Sequence, residues 1–387
     1  MVSYAVMSIM ERNRSIDMLR GFAIVTMMVS NLSAVVLAQS APFILRLVGS
    51  LAAPLFILLS GFMVSLTADG HNFSYFLFNR GAWIVSVGIF VDLVVWQIYP
   101  LMSVEVLYLI GISIPLAYLA YKLKSYQRLA IALGIFILAP VLHRAIGYTY
   151  FPTEFHLLSG APVTEVKNQT GIINHWFVDG WFPIFPWLGV SILGVELGKA
   201  FKCAKLKAFT SALVYIGSAL TIIGSLSFVF AYPQIFIRNT WSDLFYPPTI
   251  QYLALAIGIC LLIFRFFIGL ENHRLSLLFC PLSTMGQASL GIYVAHLFTI
   301  SYIITRLSGG WWKMNLGWYL ISYALLLLTM WAIAKLYSLL GDKEKRWVGR
   351  ISRGLVLAVI LATVVALVRG YLPPPTGTIH IVTGFKL

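Results

Sequence analysis

Long apolar runs, separated by short polar or glycine- and proline-containing stretches, recur from one end of the chain to the other. A helix that crosses a bilayer needs roughly 20 apolar residues, and eleven runs are long enough. They lie near 18–38, 43–66, 81–98, 101–121, 128–147, 176–198, 207–232, 247–270, 284–305, 316–339 and 352–371. The pattern predicts an all-α, polytopic integral membrane bundle of about eleven transmembrane helices, forming a single domain over residues 1–387.

Composition excludes the soluble classes of protein. Hydrophobic residues make up 60% of the chain and charged residues only 10%, whereas a soluble domain carries about 25% charge. We therefore exclude a soluble enzyme, a nucleic-acid-binding protein and a disulfide scaffold. The three cysteines, Cys203, Cys260 and Cys280, are scattered, and this spacing predicts neither a zinc site nor a disulfide framework.

The net charge of +14 is explained by where the basic residues fall. If the N-terminus is cytoplasmic, 19 of the 27 lysines and arginines lie on the cytoplasmic side. Cytoplasmic loops of membrane proteins carry such an excess. We therefore expect a cytoplasmic N-terminus and an outside C-terminus. The basic side could also attract an anionic cytoplasmic ligand.

The first span carries a polar stripe. Asp17, Arg20 and Asn31 follow the three-and-four spacing of one helical face. Asn31 lies eleven residues beyond Arg20, or about 16 Å deeper, near the midplane of the bilayer. Ionisable residues within a span are functional candidates. Alternatively, these charges pair with one another and with headgroups, while Asn31 bonds a neighbouring helix.

Two further polar residues are predicted at similar depth. Asp92 lies in the third span and His296 in the middle of the ninth. Both spans run in the same direction as the first, so Asn31, Asp92 and His296 could meet. A neutral imidazole beside a carboxylate is a plausible general base. The alternatives are a packing histidine bonded to a backbone carbonyl and a carboxyl kept protonated or hydrogen-bonded in the bundle.

The outer end of the sixth span combines prolines, aromatic residues and two ionisable residues. Pro183 and Pro186 prevent regular helix there, and irregular backbone at membrane depth needs a protein-lined or wet cavity. His175 and Asp179 are four residues apart. The aromatic residues of this stretch could stack on sugar rings or form an interfacial belt. The candidates for substrate binding are Trp181, Phe182 and Trp187.

Several segments in order resemble a known family, the transmembrane acyltransferases. The likeness is closest to the bacterial heparan-α-glucosaminide N-acetyltransferase-like proteins and covers roughly residues 12–305, with two additional spans at 316–371. The segments that carry it are Arg14–Gly21, Ala53–Phe62, Val106–Gly111, Asp179–Gly189, Tyr246–Thr249 and Gly286–His296.

The resemblance implies acyl transfer across a membrane, from cytoplasmic acyl-CoA to an amine or hydroxyl of a sugar or glycan on the far side. It implies that Arg14, Asp17, Arg20 and Arg80 form the donor-binding site, where guanidinium groups bind phosphates. Asn31 would lie at the reacting acyl group. The expected partners are membrane lipid, acyl-CoA and the glycan, and a homodimer is compatible with the sequence. The expected location is a bacterial inner membrane, with a lysosomal membrane as the alternative.

One residue departs from the family pattern. The branch that has asparagine at the position of Asn31 also has a histidine eleven residues further on, and this sequence has Pro42 there. Asn31 itself cannot accept a proton, so its expected role is to hold a carbonyl oxygen or the acceptor. The candidates for the general base are therefore His296 and His175.

Two other functions are alternatives to acyl transfer. A transporter or flippase for an anionic or amphiphilic solute could use the same intramembrane polar residues and the broken sixth span, but the two halves show no inverted repeat. A polyprenyl-phosphate sugar transferase needs an acidic pair in an early outer loop. The first outer loop, residues 39–42, has none.

Overall fold

A computed structural model describes most of the chain. The described residues are 13–149, 151–164, 170–230, 244–246, 248–270, 273–306, 313–376, 379 and 381. Within these ranges the secondary structure is helical, without any strand, and the predicted all-α membrane bundle is confirmed. Of the ionisable residues in the two long predicted outer connections, Glu165, Lys167, Arg238 and Asp243 lie outside the described residues.

Twelve helices account for the eleven predicted spans. They are α1 (Arg14–Val36), α2 (Phe43–Gly70), α3 (Tyr75–Trp96), α4 (Val106–Lys122), α5 (Ser125–Ile146), α6 (Ile184–Cys203), α7 (Leu206–Ser227), α8 (Ile250–Leu270), α9 (Arg274–Gln287), α10 (Ser289–Arg306), α11 (Leu316–Leu339) and α12 (Asp342–Val368).

Nine of these helices, within the part of the chain that is described, are long and apolar enough to cross a membrane. The predicted ninth span is the pair α9 and α10, which is bent by 79°. The predicted fourth span corresponds to α4, which is a shorter apolar helix. The orientation of the termini, and with it the assignment of the cytoplasmic and outer sides, stays a prediction.

The sixth span begins later than the sequence pattern predicts. Residues 176–198 were expected to form it, but α6 starts at Ile184, and the preceding His175–Asp179 forms a separate short helical turn. Pro183 caps α6, and the backbone of Phe185 is extended, with φ −96° and ψ 119°. Irregular backbone at this end agrees with the expected effect of the two prolines.

The chain groups into two compact units. The first contains Met1–Phe56, Lys205–Leu244 and Gln251–Lys345, and the second contains Ile57–Ala204, Phe245–Ile250 and Arg346–Leu387. The boundary between them falls within α2, α8 and α12. The single membrane domain stays a prediction.

In the first unit, α1 and α9 touch through their backbones. A Cβ atom on Gly21 would lie 1.9 Å from the carbonyl oxygen of Leu282, and one on Gly286 would lie 1.9 Å from that of Asp17. Only glycine permits such an approach, and small residues at helix interfaces are how membrane helices pack closely. This contact fixes the position of α1 relative to the chain that continues into α10.

A buried apolar cluster continues the same packing toward α10 and α11. Its members come from α1 and from the three helices α9 to α11, and they are Ile24, Met28, Leu32, Val36, Met285, Ile292, Ile300, Tyr319, Leu326, Met330 and Ala334. The hydroxyl groups of Tyr319 and Tyr323 donate to the carbonyl oxygens of Val29 and Val25, at 3.0 and 2.9 Å. Both hydroxyls thus find acceptors on α1, as buried polar groups require.

In the second unit, α6 contacts both α2 and α5 through polar side chains. The hydroxyl of Ser65 on α2 donates to the carbonyl oxygen of Val195 at 2.7 Å. Arg128 on α5 is buried, and its guanidinium forms an ion pair with Glu196 on α6 at 2.6 Å. A buried charge needs such a partner. These contacts hold the second unit together on the predicted cytoplasmic side.

Candidate active site

Asn31 and His296 meet in the first unit. The amide Nδ2 of Asn31 lies 3.0 Å from Nε2 of His296, although 265 residues separate them in the chain. His296 is completely buried, whereas Asn31 is partly exposed. The α1–α9 backbone contact lies ten residues before each of them, and beyond the bend α10 also packs against α1 through the cluster that includes Met28 and Ile292.

The hydrogen bonds of His296 define which of its nitrogens carries a proton. Nδ1 lies 3.1 Å from the carbonyl oxygen of Ile292, which can only accept, so Nδ1 is the donor. The amide N–H of Asn31 then donates to Nε2. His296 is therefore a neutral imidazole whose Nε2 lone pair points toward Asn31. That is the form in which a histidine can accept a proton.

The two arginines expected at the donor site on α1 already have partners. Arg14 donates to the carbonyl oxygen of Ser276 at 3.4 Å and to Sγ of Cys280 at 2.5 Å. Arg20 pairs with the buried Asp17 at 3.4 Å and keeps 24% of its side chain exposed. These three contacts all lie within the first unit.

Arg80, the third arginine of the expected donor site, belongs to the second unit. Arg80 is exposed and lies near the predicted cytoplasmic end of α3. The expected set of phosphate-binding arginines is therefore divided between two units, with Arg14 and Arg20 in one and Arg80 in the other.

His175 and Asp179 form a buried pair in the second unit. Nδ1 of His175 lies 2.8 Å from Oδ1 of Asp179, and both residues are almost fully buried. The other carboxylate oxygen accepts from the backbone N–H of Thr149 at 3.1 Å and from the hydroxyl of Thr170 at 2.5 Å. The helical turn His175–Asp179 places the two side chains on one face, as their spacing suggested.

The second nitrogen of His175 is also occupied. The backbone N–H of Thr153 donates to Nε2 at 3.1 Å, so this nitrogen is an acceptor and Nδ1 carries the proton. A substrate proton could reach Nε2 only after Thr153 had moved away. The geometry thus suits His175 to holding the outer connection in place. At His296 the group on Nε2 is instead a partly exposed side chain, the Asn31 amide, rather than a backbone N–H.

Asp92 belongs to the second unit, whereas Asn31 and His296 belong to the first. It is buried, and the hydroxyl of Tyr108 donates to its Oδ2. Its Oδ1 has no hydrogen-bond partner among the described residues. The structure thus connects Asp92 to α4 through Tyr108.

The three aromatic candidates for substrate binding have different environments. Phe182 is 8% exposed and Trp187 is fully buried, and both pack against Phe245, with ring centroids 5.4 and 5.5 Å away. Trp181 is partly exposed and lies against Tyr246 at 5.2 Å. Only Trp181 of the three therefore retains appreciable surface on which a ligand could stack.

Two carboxyl groups at the predicted outer side extend this region. Glu154 accepts from the indole N–H of Trp181 at 2.7 Å. Burial raises the pKa of Glu154. Burial, together with the neighbouring Glu154, raises the pKa of Glu105 to about 7. Glu105 was missed in the sequence, where its only signal is an acidic residue directly before the apolar helix α4.

The comparison with known families decides where the chain belongs. Residues 12–233 match the model of the heparan-α-glucosaminide N-acetyltransferase catalytic domain, which is more than half of the chain. The chain belongs to the heparan-α-glucosaminide N-acetyltransferase catalytic-domain family. This placement supports a transmembrane acetyltransferase-type function. Among the curated proteins, none shows significant similarity to the chain.

The match to this acetyltransferase family includes Asn31, His175 and Asp179 but ends before His296. Pro42, the residue that departs from the pattern expected of the family, precedes the first turn of α2 and is exposed. Its side chain has no acid–base group. Among the described residues, no group of three His, Cys, Asp or Glu side chains could hold a metal ion.

Proposed function

We propose that this protein transfers an acetyl or similar acyl group from cytoplasmic acyl-CoA to an amine or hydroxyl of an extracytoplasmic sugar or glycan. Membership of the acetyltransferase family supports the reaction class. The observation that carries the assignment to particular residues is the contact between Asn31 and a neutral His296. The proposed location is a bacterial inner membrane.

His296 acts as the general base in this mechanism. The N–H or O–H of the acceptor replaces the Asn31 amide at Nε2, and the imidazole takes its proton as the acceptor attacks the thioester carbonyl. The C–S bond then breaks, and the imidazolium returns the proton to the thiolate of CoA. The reaction consumes acyl-CoA and acceptor and yields the acylated acceptor and free CoA.

Asn31 stabilises the charge that develops on the carbonyl oxygen. Once the acceptor has displaced it from Nε2, its amide N–H can donate to that oxygen. Removing one such donor typically costs about 10²–10³ in kcat. Asn31 is partly exposed, whereas His296 is buried, so the amide is the member of the pair that contacts the incoming acyl group.

Residues beyond this pair have proposed binding roles. Arg14 and Arg20 in the first unit remain proposed contacts of the donor's phosphates, and Asp17 orients Arg20. Arg80, in the second unit, stays an expectation from the sequence. Trp181 is the proposed stacking surface for the acceptor. The remaining candidates, His175, Asp179, Asp92, Phe182 and Trp187, support the surrounding structure in this proposal through the contacts described above.

The test is acetyl transfer by the purified protein in detergent. Radiolabelled acetyl-CoA is supplied with glucosamine or with neutral hexoses, and the acetylated sugar is quantified. We expect transfer by the wild type, a loss of about 10²–10⁴-fold in His296→Gln, and full activity in His156→Gln, which changes an exposed histidine. Transfer that persists in His296→Gln contradicts the role of His296. The absence of transfer to any acceptor, with counterflow of a solute into proteoliposomes, contradicts the enzyme and supports a transporter.

A further inference from the structure

The last helix, α12, leaves most of its surface uncovered. Val356 is the one buried residue among its 27 residues, all of which the structure describes. From Arg346 onward, α12 belongs to the second unit. It lies beyond residues 12–233, the part of the chain that matches the acetyltransferase family, so the family does not account for the surface of this helix.

Three arginines share one face at the predicted cytoplasmic end of α12. Arg346, Arg350 and Arg353 are four and three residues apart, the spacing of neighbours on one side of a helix. Such neighbours have Cβ atoms about 5–6 Å apart, so two of their guanidinium groups can reach the same phosphate. All three residues are exposed. We call these three residues the arginine face.

One member of the arginine face is held against a tryptophan of α3. Cζ of Arg353 lies 5.5 Å from the centroid of the Trp83 ring, which is cation–π distance. Trp83 is partly exposed and follows the predicted start of the third span by two residues. Tryptophan is enriched at this level of a bilayer, where the phosphates of the lipids lie. The contact thus places a guanidinium group at phosphate level.

The charge of the arginine face is not balanced by carboxylates. Among the described residues, none forms an ion pair with any of the three arginines, including Asp342 and Glu344 at the start of α12. Like charges at this spacing repel one another. An anion bound between two of the guanidinium groups would relieve this repulsion and form charge-assisted hydrogen bonds.

The same side of α12 continues as an apolar surface toward the middle of the membrane. Leu357, Leu361 and Val364 follow Arg353 at steps of three and four residues, and they are 57%, 65% and 49% exposed. The whole face is therefore basic at one end and apolar along the rest. Its ligand should have the complementary form, with an anionic group at one end and a hydrocarbon chain behind it.

We infer that the arginine face and the apolar residues beyond it bind an anionic phospholipid of the cytoplasmic leaflet. The phosphodiester lies between the guanidinium groups, and one acyl chain lies along Leu357, Leu361 and Val364. Arginine suits this role because its planar group binds phosphate through two N–H donors. A second copy of the chain fits less well, because a symmetric contact through α12 would set the arginines of one copy against those of the other.

The experiment titrates the full chain, purified in detergent, with phosphatidylglycerol or phosphatidylcholine and measures bound lipid by native mass spectrometry. We expect the wild type to prefer phosphatidylglycerol. The variant Arg346→Gln/Arg350→Gln/Arg353→Gln should bind it about 100-fold more weakly, because each basic residue near an anionic membrane surface contributes about fivefold in affinity.

Two further variants control for charge and for folding. Lys205→Gln/Lys207→Gln/Arg274→Gln removes three exposed basic residues elsewhere on the predicted cytoplasmic side and should bind as the wild type does. Arg346→Lys/Arg350→Lys/Arg353→Lys keeps the charges and should bind within about tenfold of the wild type. Phosphatidylglycerol should raise the melting temperature of the wild type and of the first control but not that of the glutamine variant of the arginine face, because only a bound ligand stabilises the folded state.

Three results would overturn the inference. The first is equal affinity of the wild type and the glutamine variant for phosphatidylglycerol. The second is full competition by glycerophosphoglycerol, the water-soluble headgroup, because the acyl chain would then contribute nothing. The third is a wild-type dimer that dissociates in the glutamine variant while lipid binding is unchanged, because the face would then bind a second copy. None of these results depends on whether the protein transfers an acyl group.

Discussion

The contact between Asn31 and His296 predicts that the two residues act as a unit. Replacing His296 by Gln removes the base and should lower kcat about 10²–10⁴-fold. Replacing Asn31 by Ala removes the amide donor and should lower kcat about 10²–10³-fold. If the two effects were independent, the double variant would lose about 10⁴–10⁷-fold.

We expect a much smaller loss in the double variant. The amide and Nε2 are 3.0 Å apart, and residues in such contact show strongly non-additive effects. Without the base, the acceptor stays protonated and little charge develops on the oxygen that Asn31 would stabilise. The double variant should therefore lie within about tenfold of His296→Gln alone.

The assay is the steady-state rate of acetyl transfer at saturating acetyl-CoA, for the wild type, the two single variants and the double variant. The KM for the donor should change little, because neither residue is expected to bind the nucleotide. Thermal unfolding in detergent checks that each variant is folded, since Asn31→Ala also loses a hydrogen bond worth about 1 kcal/mol. A double variant that shows the full product of the two losses would refute the coupled mechanism.

Three further predictions concern packing, pH and the donor. Gly286→Ala should lower the free energy of unfolding by about 1–3 kcal/mol, measured by thermal unfolding, because the added Cβ meets the carbonyl oxygen of Asp17. The control Gly291→Ala should leave stability unchanged, because no atom lies within 4 Å of the added Cβ. Equal melting temperatures of the two variants would contradict the close contact. The pKa of Glu105 is about 7 in the folded state against a usual 4.5, so the folded state binds this proton more tightly and stability should decline as pH rises from about 4.5 to 7. In a Glu105→Gln variant, the free energy of unfolding from chemical denaturation should fall less over this pH range. An unchanged dependence of that free energy on pH would exclude Glu105 as its source. Arg20→Ala should weaken binding of acetyl-CoA in calorimetry and also lower the melting temperature, because it removes the ion-pair partner of the buried Asp17. An unaltered affinity in the folded variant would remove Arg20 from the donor site.

The position of a side chain along its helix follows from the sequence, but its lateral neighbours do not. Counting residues along α1 and the ninth span placed Asn31 and His296 at one level, and the structure brings them into contact. The same count placed Asp92 at that level, yet Asp92 bonds Tyr108 in the other unit. Residue spacing gives the height of a side chain along a helix and says nothing about which helices adjoin.

The burial of the aromatic residues could not be predicted from the sequence either. Trp181 and Trp187 look alike in the sequence, but one is partly exposed and the other fully buried. The extended backbone at Phe185, between two prolines, changes the direction of the chain between them.

The α1–α9 contact has a consequence for the lengths of two segments. Gly21 and Asn31 are ten residues apart, and so are Gly286 and His296. Inserting or deleting one residue in α1 between Gly21 and Asn31 would turn Asn31 by about 100° around the helix axis and shift it by about 1.5 Å. The partner of His296 would then face another direction while every other side chain kept its identity. The site is therefore specified by residue count as well as by residue type, and indels in these two intervals should be far less tolerated than substitutions.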